Sequence, residues 1–144
     1  MKSLREKIEA AFKAYLEQTI ETGVYPGLGA FDVEYPATIC SFLGGEDIHP
    51  EANTISAEVL ITVISSADPD TVPNAAEKHN TAFGKVVDAC EQDNLAESLM
   101  AAGTDLLVNG IESTTEELPD IEADSNETPI FTSGYKVQLI AGHN

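Results

Sequence analysis

The segment Thr54–Ser65, TISAEVLITVIS, constrains the fold more than any other stretch of the chain. Ile55, Ala57, Val59, Ile61 and Val63 take every odd position. Thr54, Ser56, Glu58, Leu60, Thr62 and Ile64 take the even ones. Side chains alternate across a strand, so this pattern gives a strand with one wholly apolar face. Such a face requires a second layer to cover it. Leu60 and Ile64 fall on the other face. Apolar residues there call for a further packed layer or a contact with another subunit.

The flanking segments supply covering elements. Ser3-Leu4-Arg5-Glu6 has the S-x-x-E form of a capping box. Leu4, Ile8, Phe12, Tyr15, Leu16 and Thr19 follow at helical spacing, which predicts an amphipathic helix stopped near Gly23. Val24–Pro36 reads as an ordered loop with a short edge strand at Ala30–Glu34. Ala37–Leu43 reads as a strand pairing antiparallel with the opening segment. Asp68-Pro69-Asp70-Thr71 ends that segment and offers caps, and Pro73 suits a first helical turn. Ala76, His79, Phe83, Val86 and Cys90 then trace a second amphipathic helix. Asn94-x-x-Glu97 opens a short third one, stopped by Gly103. Asp105–Glu112 and Ile130–Ala141 read as closing strands.

The expected fold is α+β. A mostly antiparallel four-stranded sheet packs against two main helices in the order α-β-β-α-(α)-β-β. Residues 1–144 form a single domain, with projecting loops at 44–53 and 113–127.

Composition narrows the function classes. The chain has 144 residues, 25 acids and 7 Lys and Arg, for a net charge of -18. That field disfavours nucleic-acid phosphate and anionic membranes, and it opposes self-association at low salt. No apolar run reaches the roughly 18 residues of a membrane span, and MKSLREKIEAAF lacks a signal peptide's apolar centre. Synthesis in the cytoplasm is therefore expected. Cys40 and Cys90 sit within apolar patterns and read as buried thiols.

No segment carries a catalytic signature. G-x-S-x-G, H-E-x-x-H and C-x-x-C are absent. Gly27-Leu28-Gly29 lacks the third glycine of a dinucleotide loop. Asp68-Pro69-Asp70 lacks the remaining ligands of a calcium loop. Asn126-Glu127-Thr128 matches a glycosylation acceptor, with nothing else marking secretion. Glu46-Asp47-Ile48-His49-Pro50-Glu51 is the best metal cluster, yet no second ligand set accompanies it. It reads more strongly as a solvated or contact loop. His79, on the apolar face of its helix, reads as a hydrogen-bonded core or interface histidine. The chain is expected to be no enzyme and to take no cofactor and no metal.

The IEAAFKAYLEQ opening, the TISAEVLITVIS strand with SADPDT after it, and the closing FTSGYKVQLIAG strand resemble small tail-terminator and tail-completion proteins of tailed bacteriophages. The resemblance spans nearly the whole chain and rests on architecture, so no family residue is carried over. It implies a structural virion protein of the tail, assembled in the host cytoplasm. It implies a ring of identical subunits, commonly a hexamer, that caps the tail tube protein and meets a head-tail connector or neck protein. DNA would pass without specific binding, and no membrane would be involved. Candidate assembly contacts are Glu46, Asp47, His49, Glu51, Leu60, Ile64, Glu116 and Glu117. The alternative class is an acidic dimeric secretion chaperone that binds an extended protein segment. A C-terminus ending in a strand speaks against it.

Overall fold

The computed structural model describes residues 3–20, 23–27, 34–49, 54–68, 70–103, 105–117, 120–123 and 129–143. The elements are α1 (Leu4–Thr19), β1 (Gly23–Pro26), β2 (Ala37–His49), β3 (Thr54–Ser66) and α2 (Ala75–Cys90). Then follow α3 (Leu95–Ala102), β4 (Leu106–Glu116), β5 (Asp120–Ala123) and β6 (Pro129–His143). Among the described residues the fold is α+β with three helices and a mixed six-stranded sheet in the order β1-β2-β3-β6-β4, with β5 also on β6.

The expected antiparallel strands are β2, β3, β6 and β4, neighbours in that order in the sheet. The strand predicted at Thr54–Ser65 is β3, and it pairs with β2 on one side and β6 on the other, both antiparallel. The sheet has two further strands. β1 runs parallel to β2, from Gly23 opposite Ala37 to Pro26 opposite Cys40. It stands earlier than the edge strand expected at Ala30–Glu34. Of that segment only Glu34 is among the described residues, and it is not in a strand. β5 continues the line of β4 along β6, from Asp120 opposite Thr132 to Ala123 opposite Pro129.

Both expected loops require correction. β2 runs on through Gly44 to His49, with Glu46 opposite Ser56 and His49 opposite Thr54. Gly44 has φ +138° and sits where the register shifts after Phe42. That conformation is readily open only to glycine, so it absorbs the bulge that leaves Leu43 48% exposed. Ser113–Glu116 likewise belong to β4, paired with Gln138 to Tyr135, and Asp120–Ala123 form β5. Residues 50–53, 118–119 and 124–128 lie outside the described residues. Backbone pairing needs no apolar side chain, so acidic and glycine-rich strands escape a hydrophobicity pattern.

The helices cover one face. Ala57, Val59, Ile61 and Val63 of β3 are fully buried with Tyr135, Val137 and Leu139 of β6. Ile8, Ala11, Phe12 and Leu16 of α1, Val86 of α2 and Leu99 of α3 complete the same core. Ser3 caps α1, its hydroxyl accepting from the Glu6 N–H at 3.2 Å. The helix ends at Thr19 with Ile20 as its C-cap, short of the expected stop at Gly23, which opens β1. Pro73 precedes α2, whose N-cap Asn74 takes a left-handed φ of 57°.

Polar groups tie the layers at fixed points. The Tyr15 hydroxyl donates to the Ala89 carbonyl at 2.7 Å, joining α1 to α2. Glu9 is buried, and its Oε2 accepts from the Phe42 N–H at 2.9 Å. An unsatisfied strand N–H would cost about 1–3 kcal/mol. Glu9 thus serves the β2 bulge from beneath the helix.

Phe12 has no exposure and lies between the helices and the sheet. Phe12→Ala is expected to lower the unfolding free energy by about 3–5 kcal/mol, read from guanidinium denaturation followed by circular dichroism.

Candidate functional surface

The sheet face opposite the helices is the first candidate surface. The even positions of β3, Ser56 to Ile64, are all half-buried, and no described helix packs on them. Leu60 lies opposite Ser41 and Lys136, and Ile64 opposite Ala37 and Thr132. Gly134 on β6 leaves room here. A Cβ at that position would lie 3.0 Å from Leu60 Cδ1 and 3.2 Å from Glu117 Cγ.

Charge is organised around one lysine. Lys136 Nζ lies 3.3 Å from Glu58 and 3.2 Å from Glu117. Hydrogen bonds to these carboxylates, Glu117 first, hold the ammonium above its ordinary value. Beside them the Ser56 hydroxyl donates to Glu112 at 2.6 Å, and the Gln138 amide donates to Ser56 at 3.2 Å. Lys136 is the only Lys or Arg after Lys85, and that isolation was the signal available in the sequence.

The sequence-derived contacts divide into groups. Leu60 and Glu117 come together around Gly134 on the open face, and Ile64 lies four residues further along the same face of β3. Glu116 ends β4 opposite Tyr135, and its side chain is exposed. Glu46, Asp47 and His49 sit at the far end of β2 by register, with side chains outside the described residues, as is all of Glu51. Among the described residues, Leu60 and Glu117 are the candidate contacts brought within reach of one another. Among the described residues no group of three or more His, Cys, Asp or Glu could hold a metal.

A second surface lay outside the sequence reading. A cleft of about 670 Å³ opens between β1, the end of α1 and the first half of α2. Tyr25, Tyr35, Glu77, Lys78, Thr81 and Lys85 are among its walls. Tyr25 and Tyr35 come from a stretch read only as a loop, so no periodicity linked them to α2.

The buried reactive groups are structural. His79 is 2% exposed. Its Nδ1 lies 2.8 Å from the Ser65 hydroxyl and its Nε2 2.8 Å from the Ser133 hydroxyl. One ring thus fastens α2 across β3 and β6, in keeping with the core reading of this residue. Cys40 and Cys90 are buried free thiols. Burial pushes the Cys90 thiol up to about 12 and raises Cys40 further. Neither supplies a thiolate nucleophile near neutrality.

No family model matches the chain, and no curated protein matches it. Among the described residues no helix is long and apolar enough to cross a membrane.

Two measurements test these assignments. Burial holds the His79 imidazole below its ordinary value. The unfolded chain then binds more protons than the folded one, so stability rises with pH. The contribution is complete above the unfolded value of about 6.5 and is lost as pH falls through the depressed folded value. Urea denaturation across that window should show a steeper loss in the wild type than in His79→Gln. Separately, Ellman's reagent should find both cysteines silent in the native protein and reactive once guanidinium unfolds it.

Proposed function

We propose that this protein is a non-catalytic structural subunit of a tailed-phage virion. Copies of it form a closed ring, six as the expected number, that caps the tail tube and joins it to the head or neck. The ring assembles in the host cytoplasm. The observation that carries this reading is the sheet face on which no described helix packs, where Leu60 lies beside the Glu58–Lys136–Glu117 cluster and Ile64 further along the same strand. A partly apolar face with no described helix over it, on a sheet whose other face packs against three helices, fits a subunit contact. The two long hairpin arms, β2–β3 and β4/β5–β6, offer reach toward the tube and the connector. An acid-rich ring wall would repel DNA phosphate and let the genome slide through.

Light scattering coupled to size exclusion, at low salt and with added magnesium, tests the assembly. Closed rings in negative stain, formed directly or on screening of the -18 charge, are the expected outcome. A compact dimer indifferent to salt would favour the secretion-chaperone alternative. A monomer in every condition that also ignores purified tail tubes would remove the proposal. In an image reconstruction of the ring, acids confined to the outer wall would sink the sliding surface.

A further inference from the structure

The two halves of α2 are held to the protein unequally. Across Ala75–Ala82 His79 is the one buried residue; Ala75 and Ala82 are half-buried and the other five are exposed. Asn74, the N-cap, is left-handed, and its side chain does not cap the helix. The second half keeps Val86, Ala89 and Cys90 buried, with Phe83 half-buried against the core. The Tyr15 hydroxyl adds its bond to the Ala89 carbonyl. The first half therefore depends on one side chain where the second depends on several.

That side chain engages the sheet through both ring nitrogens. Ser65 of β3 and Ser133 of β6 each bring a hydroxyl to 2.8 Å, and the ring leans on Phe131 with centroids 5.5 Å apart. A neutral imidazole donates from one nitrogen and accepts at the other, and a hydroxyl serves either role. An imidazolium donates from both, so both serines have to accept, and its buried charge needs a counter-charge. Among the described residues no carboxylate pairs with the ring. On α2 the neighbours three and four residues away, Ala75, Ala76, Ala82 and Phe83, are uncharged. Exposed Glu77 is two residues away and does not share that side of the helix, and Lys78 is a cation. Ile64–Ser66 of β3 and Phe131–Gly134 of β6 hold no ionisable group. Tyr35 and Val72, which border Ser65, contribute only a phenol, uncharged in acid. On β5, Asp120 and Glu122 pair with Thr132 and Ile130, which alternate with Phe131 and Ser133.

We propose that His79 is an acid-released latch: the neutral ring holds Ala75–Ala82 on the sheet, and protonation frees that half of α2 while the rest of the fold stays closed. In the closed protein burial keeps the imidazole below its ordinary value. Once the half-helix lifts, the ring meets water and takes a proton near its ordinary value of about 6.5. Opening is thus linked to proton uptake. Below about pH 6.5 the open fraction rises as pH falls, by up to about tenfold per unit, until the closed-state imidazole itself titrates. Glu77, Lys78, Thr81 and Ala82 of this segment line the cleft beside β1, so acid takes down one wall of that cleft and leaves the sheet intact. The latch is a property of the single chain and stands apart from the ring reading.

Hydrogen exchange of the full-length protein, resolved by residue with NMR, corrected for intrinsic rates and repeated in low urea, tests the latch. The Lys78–Ala82 amides should open about tenfold or more above those of β3, with little response to urea, because a local opening exposes little surface. Their opening should rise about tenfold from about pH 7.5 to about pH 5.5. His79→Gln keeps a donor and an acceptor for the two serines and should abolish that rise. The wild-type imidazole resonances give a check that needs no variant. They should titrate below about pH 6.5, and the rise in opening should level off where they do. If the Lys78–Ala82 amides share the protection and urea response of β3, only the whole fold opens and the latch is overturned. A pH dependence that survives in His79→Gln, or an imidazole that titrates at its ordinary value, overturns it as well.

Discussion

Everything in this structure hangs from the two-sided pairing of β3. Thirteen residues, Thr54 to Ser66, are matched to β6, and the same strand pairs with β2 along its other side. Because side-chain direction has a period of two, one residue of slip would turn Val59, Ile61 and Val63 outward and bring Glu58 and Leu60 under the helices. The apolar face therefore sets the register on both sides at once. It also decides which residues of the neighbours can be small, polar or charged.

One-sided coverage follows from that choice. Three helices share a single core with the odd positions of β3, and the tie points between layers are polar. Tyr15 reaches Ala89, Glu9 reaches Phe42, and His79 spans Ser65 and Ser133. These bonds are directional, whereas apolar packing fixes distance more than orientation. Together they hold the helices in one place on the sheet. On the opposite face no described helix packs, and there Lys136 lies between Glu58 and Glu117. Arg5, Lys13 and Lys136 offset local carboxylates, and Lys78 stands in a cleft apart from them.

Segments whose burial alternates were legible in the chain, and segments whose burial does not were missed. α1, β3, α2, α3 and the core of β6 announce themselves because one side of each is apolar. The end of β2, Ser113–Glu116 and Asp120–Ala123 are equally well paired, but most of their side chains carry acids, hydroxyls or no bulk. A ladder made of backbone groups leaves no trace in such a pattern. β1, four residues long and paired in the sheet with β2, is too short to display a period. Of the candidate contacts, Leu60 and Ile64 were legible as apolar residues on the wrong face. Glu117 was legible only as one acid among many, since its link to Lys136 depends on β4 and β6 lying side by side.

The amino-acid sequence alone determined the layered α+β character, the inward face of each amphipathic element and the acidity of the surface. Those properties are local, because period, capping and charge are written within a few residues of one another. Tertiary structure decided which strands are neighbours, where the open face lies and that His79 meets Ser65 and Ser133. Such placements join residues far apart in the chain. Their cost is set by closing the loops between them and repaid by packing, neither of which any short window of sequence contains.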